Sequence, residues 1–110
     1  MSRSLAVVLE EPQRLALREV EIDPLGADDV AVETEFSGVS AGTERLLYTG
    51  RMPMFPGMGY PLVPGYETVG RVVEAGANVK TMLGARVFVP GARCFGAVRG
   101  IHGGAAARLV

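Results

Sequence analysis

Four prolines fall between Arg51 and Gly65, at positions 53, 56, 61 and 64, together with three methionines. Proline has no N–H to give a sheet ladder and breaks a helix interior. The whole segment must therefore be a loop, and an unusually long one. Any core has to be assembled from the stretches on either side of it. Glycine supplies the rest of the punctuation: its 15 copies in 110 residues are nearly twice the average usage of about 7%. Such a chain suits short strands and many bends, and it leaves no room for long helices.

Before the loop, Ser4 to Glu10 is a valine-rich run of strand length, and Glu11-Pro12-Gln13 is a turn signal. Leu15 to Ile22 alternates apolar with charged, slipping one place near Arg18 as a bulge would make it do. Together the two runs read as a hairpin, closed off by Asp23-Pro24-Leu25-Gly26. Asp29 to Val39 has period two and is the next strand. Ala41 to Tyr48 fits one or two helical turns, with Thr43 as the expected N-cap and Gly50 as the stop. After the loop, Glu67 to Glu74 and Arg86 to Val89 read as strands, with a turn at 75–78 between them. Residues 94–104 look loose. An apolar run from Ala105 to Val110 begins another strand where the sequence stops, so we expect a piece of a longer chain. With no alternation of strand and helix, the expected fold is all-β with one short helix, a barrel or a sandwich.

The bulk numbers narrow the function. A net charge of −1 with scattered basic residues gives no electrostatic case for nucleic acid or an anionic membrane. The single Cys94 cannot form an intrachain disulfide. The apolar run Leu5 to Leu9 is too short for a signal peptide or a membrane span. A cytoplasmic protein is the expectation. No Gly-x-Gly-x-x-Gly stands between a strand and a helix, so no cofactor-binding residue is assigned within these 110 residues. Gly65, Gly70 and Gly76 are read as turn, bulge or close-approach positions.

Three stretches carry a family pattern. Ser37-Gly38-Val39-Ser40-Ala41-Gly42-Thr43-Glu44, Pro64-Gly65-Tyr66-Glu67-Thr68-Val69-Gly70-Arg71-Val72, and Gly84-Ala85-Arg86-Val87 with Gly103-Gly104-Ala105-Ala106 resemble, in order and spacing, the medium-chain dehydrogenase/reductase superfamily. The matching part is its GroES-like N-terminal domain. The resemblance implies a partly open barrel over residues 1–110 and a Rossmann domain, further along the full-length chain, that binds NAD. The runs Thr43 to Glu67 and Val89 to Phe95 resemble the branch of that superfamily that oxidises the hydroxyethyl group of a bacteriochlorophyllide to acetyl. That implies a tetrapyrrole substrate and a place in bacteriochlorophyll biosynthesis.

In zinc members of the superfamily a cysteine and a histidine hold the metal, which acts as a Lewis acid on the alcohol oxygen. Here those positions fall on Ser40 or Ala41 and on Tyr66, and hydroxyls are poor zinc ligands. No zinc and no other metal is expected. Tyr66 and Thr43 are then the candidates to take the alcohol proton through a hydroxyl relay, although Tyr66 equally fits a packing role. Ser40, Met54, Phe55, Met58 and Tyr60 are candidate substrate contacts. The apolar loop residues either receive the macrocycle or plug one end of the barrel. Glu44 and Glu67 stand behind the reacting groups, and Glu67 also fits a role as backbone anchor. Cys94 is read as a packed loop residue and His102 as a solvated one. A zinc-free quinone-type reductase and a non-enzymatic GroES-like binding module are the competing classes, and a fold alone does not choose between them.

Overall fold

The computed structural model describes residues 2–92, 95–100 and 102–110. The expectation for Cys94 lies outside them. The chain opens with an antiparallel hairpin, β1 (Ser2–Glu11) and β2 (Arg14–Ile22). The bulge expected near Arg18 does not occur. Pairing runs unbroken from Ser2 opposite Ile22 to Leu9 opposite Leu15, and the one irregularity sits beside the turn, between Leu9 and Glu11. Val20 and Ile22 face inward and are buried, whereas Leu15 and Leu17 lie on the outer face, 57% and 67% exposed. The apparent slip was two leucines facing solvent. Arg18, on the inner parity, is accommodated by a two-pronged pairing with Glu10 at 2.8 and 3.2 Å.

A second, four-stranded antiparallel sheet has the order β5 (Arg86–Val89), β4 (Thr68–Ala75), β3 (Val30–Ser37), β6 (Arg108–Leu109). The last strand is shorter than its apolar run because residues 105–107 do something else. Ala105 accepts from Val7 N–H, Ala107 donates to Leu5 C=O, and Ala107 C=O accepts from Thr34 N–H, each at 2.8 or 2.9 Å. This stretch stitches the hairpin to the larger sheet. The sheets curl around one core without closing, which is the mostly β, GroES-like arrangement expected. Where β3 and β4 shift register between Thr34 and Phe36, Gly70 lies so close to Glu33 C=O and Val32 that no side chain fits.

The core is built from inward-facing valines and alanines of both sheets, with Ile22, Phe95 and Leu109. Phe95 is 1% exposed, an anchor in a region expected to be loose. Burying a side chain of that size contributes about 1.5–3 kcal/mol. The turn expected at 75–78 opens into a kinked 3-10 segment, Ala77–Met82. The single α-helix, α1 (Ala41–Thr49), buries Leu47 and ends at Gly50, whose left-handed backbone lets Gly50 and Arg51 cap Leu47 and Leu46 carbonyls. A smaller apolar cluster of Leu9, Leu47, Met58 and Leu62 holds α1 and the proline-rich loop against the hairpin.

Candidate functional site

Two tight backbone crossings bring the motif residues together at the start of α1. Gly38 N–H donates to Glu67 C=O at 2.7 Å, and a Cβ at Gly38 would lie 3.2 Å from that of Glu67, a tight contact between the two segments. Gly65 has φ +98°, a conformation side-chain-bearing residues rarely adopt. A Cβ there would also lie 3.0 Å from the Ala105 nitrogen. These crossings set Tyr66 against the helix N-terminus. The Tyr66 hydroxyl makes a short hydrogen bond to Ser40 Oγ and lies 3.4 Å from Thr43 Oγ1. Two hydroxyl side chains of the first motif, Ser40 and Thr43, thus converge on the tyrosine of the second.

The helix cap differs from expectation. Ser40 is the N-cap residue, and Thr43 lies inside the first turn. Ser40 C=O accepts the first helical bond from Glu44 N–H at 2.9 Å, but its side chain makes no cap. A serine cap is ordinarily worth about 1 kcal/mol; here the hydroxyl is turned to Tyr66 instead. Thr43, freed from capping, points the same way.

A further residue joins this group. The His102 ring meets Tyr66 edge to face, with centroids 5.0 Å apart and planes at 75°. It is exposed, as expected, and the ring contact with Tyr66 is an addition to that solvated position. The available clue was position: it is the chain's one histidine, directly before the Gly103-Gly104 motif. Glu44 is half-buried on α1, and burial pushes its carboxyl above the usual range. Glu67 is exposed and contributes its backbone carbonyl.

The loop residues divide. Met58 and Leu62 are buried in the smaller cluster, and Tyr60 packs on it with its hydroxyl donating to Leu47 C=O at 2.5 Å. Met54 is 79% exposed and Phe55 39%. Phe55 lines an open cavity of about 920 Å³ that also takes in Pro56, Val98, Arg99 and His102. His102 therefore lines the cavity and packs against the Tyr66 ring.

This donor set does not suit zinc. Ser40 and Tyr66 offer hydroxyl oxygens already bonded to each other. Among the described residues, no three of His, Cys, Asp and Glu gather where one ion could reach them. Nor does any helix among them have the length and apolarity to cross a membrane.

Residues 26–110 match the alcohol dehydrogenase GroES-like domain. The chain belongs to that family. Its relatives include the 2-desacetyl-2-hydroxyethyl bacteriochlorophyllide A dehydrogenase of Cereibacter sphaeroides, 50% identical over 98% of this chain and 36% of the relative. The protein of the same description from Rhodobacter capsulatus is 47% identical over 94% of this chain and 33% of its own length. A Sinorhizobium meliloti structure classed with the zinc-binding dehydrogenases and bound to NADP superposes with TM-score 0.63 at 39% identity, covering 78% of this chain and 24% of that one. This GroES-like domain thus spans about a third of the length of its bacteriochlorophyllide-dehydrogenase relatives. Among such relatives a nicotinamide nucleotide is the bound cofactor in the solved structure, and oxidoreductase activity is the shared description.

Proposed function

We propose that this chain is the substrate-side domain of a dehydrogenase that oxidises the hydroxyethyl group of a bacteriochlorophyllide to acetyl, with NAD as hydride acceptor and without zinc. The observation that carries the chemistry is the convergence of the Tyr66, Ser40 and Thr43 hydroxyls, where the resemblance puts the metal-holding positions of zinc members at Ser40 or Ala41 and at Tyr66. Identity of 50% to a bacteriochlorophyllide dehydrogenase supports the substrate.

The reaction removes a hydride from the carbinol carbon and a proton from its oxygen, leaving a ketone. The nicotinamide, held by a domain outside these residues, supplies the hydride acceptor. The residues here handle the proton. Tyr66 donates to Ser40, so the lone pairs of its oxygen are available to the alcohol hydroxyl. As the C–H electron pair leaves, the alcohol proton passes to Tyr66, the Tyr66 proton to Ser40, and the Ser40 proton to solvent. A relay of this kind avoids a free phenolate, which with an ordinary phenol pKa of about 10 would be scarce at neutral pH. Thr43 completes the polar wall. Met54 and Phe55 lie on the exposed half of the loop, where an apolar macrocycle can be received, while Met58 and Tyr60 hold that loop to the core. The domain alone, lacking a glycine-turn helix N-terminus for pyrophosphate, is inactive.

The test is oxidation of the hydroxyethyl bacteriochlorophyllide by the full-length protein with NAD, followed by the spectral shift of the acetyl product, with simple quinones plus NADPH as the competing assay. Turnover of the tetrapyrrole and zinc-free elemental analysis are expected, and Tyr66→Phe should lower kcat by about 100-fold or more. Quinone reduction alone, stoichiometric zinc, or an unaffected Tyr66→Phe would each overturn the corresponding part.

A further inference from the structure

We propose that Arg99 is a carboxylate-binding residue in the cavity beside the hydroxyl cluster, and that it selects the free propionate of a chlorophyllide over its ester. This rests on the substrate reading above and adds the group that orients that substrate.

Five of the chain's ten arginines have a carboxylate partner among the described residues. Arg3, Arg14, Arg18, Arg86 and Arg108 pair with Glu19, Glu11, Glu10, Glu35 and Glu74. Arg99 pairs with no carboxylate among the described residues, yet it is firmly placed. Its N–H donates to Pro61 C=O at 2.9 Å, and its C=O accepts from Val63 N–H at 2.8 Å. Its side chain crosses Gly59 so closely that a Cβ there would lie 3.0 Å from the guanidinium carbon. Backbone pairing thus fixes the point from which an exposed guanidinium, unpaired with any carboxylate among the described residues, extends over Gly59. That point is on the wall of the 920 Å³ cavity, whose described lining contains no acidic side chain.

The rest of the wall suits a flat apolar ligand: Phe55, Pro56 and Val98, interrupted by glycines where a ring can approach backbone. His102 lines the same cavity and abuts Tyr66. Arg99 and His102 are three positions apart, a reach of at most about 10–11 Å along the chain. A carboxylate held at Arg99 would draw the macrocycle along a wall that includes His102, whose ring abuts that of Tyr66. Guanidinium is the group whose planar fork pairs best with a carboxylate. An esterified propionate has lost the charge and one acceptor oxygen, and gains nothing in exchange.

The experiment uses the full-length protein, with the hydroxyethyl bacteriochlorophyllide free acid and its propionate methyl ester as substrates. The wild type should prefer the acid by about tenfold in kcat/KM, the effect of one charge-assisted pair at a partly exposed site. Arg99→Gln should raise KM for the acid by about that factor, with kcat within about twofold and the ester unaffected, and Arg99→Lys should recover part of the loss. Equal handling of acid and ester by the wild type would overturn the proposal. So would an equal fall on both substrates in Arg99→Gln, which would mark a structural role. If the wild type oxidises neither compound, the substrate reading fails by itself. Absorbance titration with a redox-inert pheophorbide and its methyl ester then decides the subsite: acid-selective binding abolished by Arg99→Gln supports it, and indifference to both changes refutes it.

Discussion

Met54 and Phe55 stand out into solvent, while Met58, Tyr60 and Leu62, a few residues on in the same proline-rich loop, are packed against Leu9 and Leu47. The two halves have the same kinds of residue: methionine, aromatic ring, proline. What separates them is backbone pairing. Leu62 exchanges two hydrogen bonds with Leu9, at 2.9 and 3.0 Å, and Pro61 and Val63 pair with Arg99. Those contacts pull the second half into the sheet system, and Tyr60 is drawn in with it through Leu47. The first half has no such ladder within reach. An apolar loop thus serves as plug and as candidate substrate wall at once, and the boundary between the roles falls where the hydrogen bonds begin.

The contrast predicts unequal responses to truncation. Leu62→Ala, at a site with 0% exposure, should lose about 2–5 kcal/mol through lost burial and the cavity left behind. Urea denaturation would show it, and an unchanged midpoint would mean that the packed half is not core. Met54→Ser combined with Phe55→Ser should cost no more than about 0.5 kcal/mol per site, as for exposed positions. In the full-length protein the same pair should raise KM for the tetrapyrrole with kcat little changed. A stability loss rivalling that of Leu62→Ala would erase the distinction between the halves.

The smallest effect lies on α1, the helix on which the packed half rests. Burial raises the Glu44 carboxyl above its usual range, so the folded state binds that proton more tightly than the unfolded chain does. The charged form therefore opposes folding at neutral pH, and this opposition fades as pH falls through the folded-state value. Glu44→Gln should be slightly more stable than the parent at neutral pH and indistinguishable from it well below the carboxylate range. The difference is small because solvent still reaches the carboxyl. Denaturation curves at the two pH values would check it, and a variant less stable at neutral pH would show the charge to be favoured by the helix N-terminus instead.

Strand and helix positions were legible because their causes are local. Period-two runs at Val30–Ser37 and Thr68–Ala75, and breakers at Pro12, Pro24 and Gly50, act within a few residues of themselves. The motif pair around Ser40 and Tyr66 was equally visible as spacing. Which face each residue takes was less so: Leu15 and Leu17 look like core until the hairpin is packed on one side only.

Tertiary contact decided the rest. His102 meets Tyr66 across 36 positions, the exposed and buried parts of the proline-rich loop part company between Phe55 and Met58, and Arg99 is left without an acidic partner among the described residues beside a cavity. None of these follows from local propensity, because each depends on which distant backbone happens to offer a carbonyl, a ring or a void at that place. The amino-acid sequence determined the elements and the chemical groups. Their convergence into a hydroxyl cluster with an apolar approach was decided only when β1, the loop, Arg99 and residues 102–107 were laid against one another, where long-range hydrogen bonds and burial outweigh anything the neighbouring residues prefer.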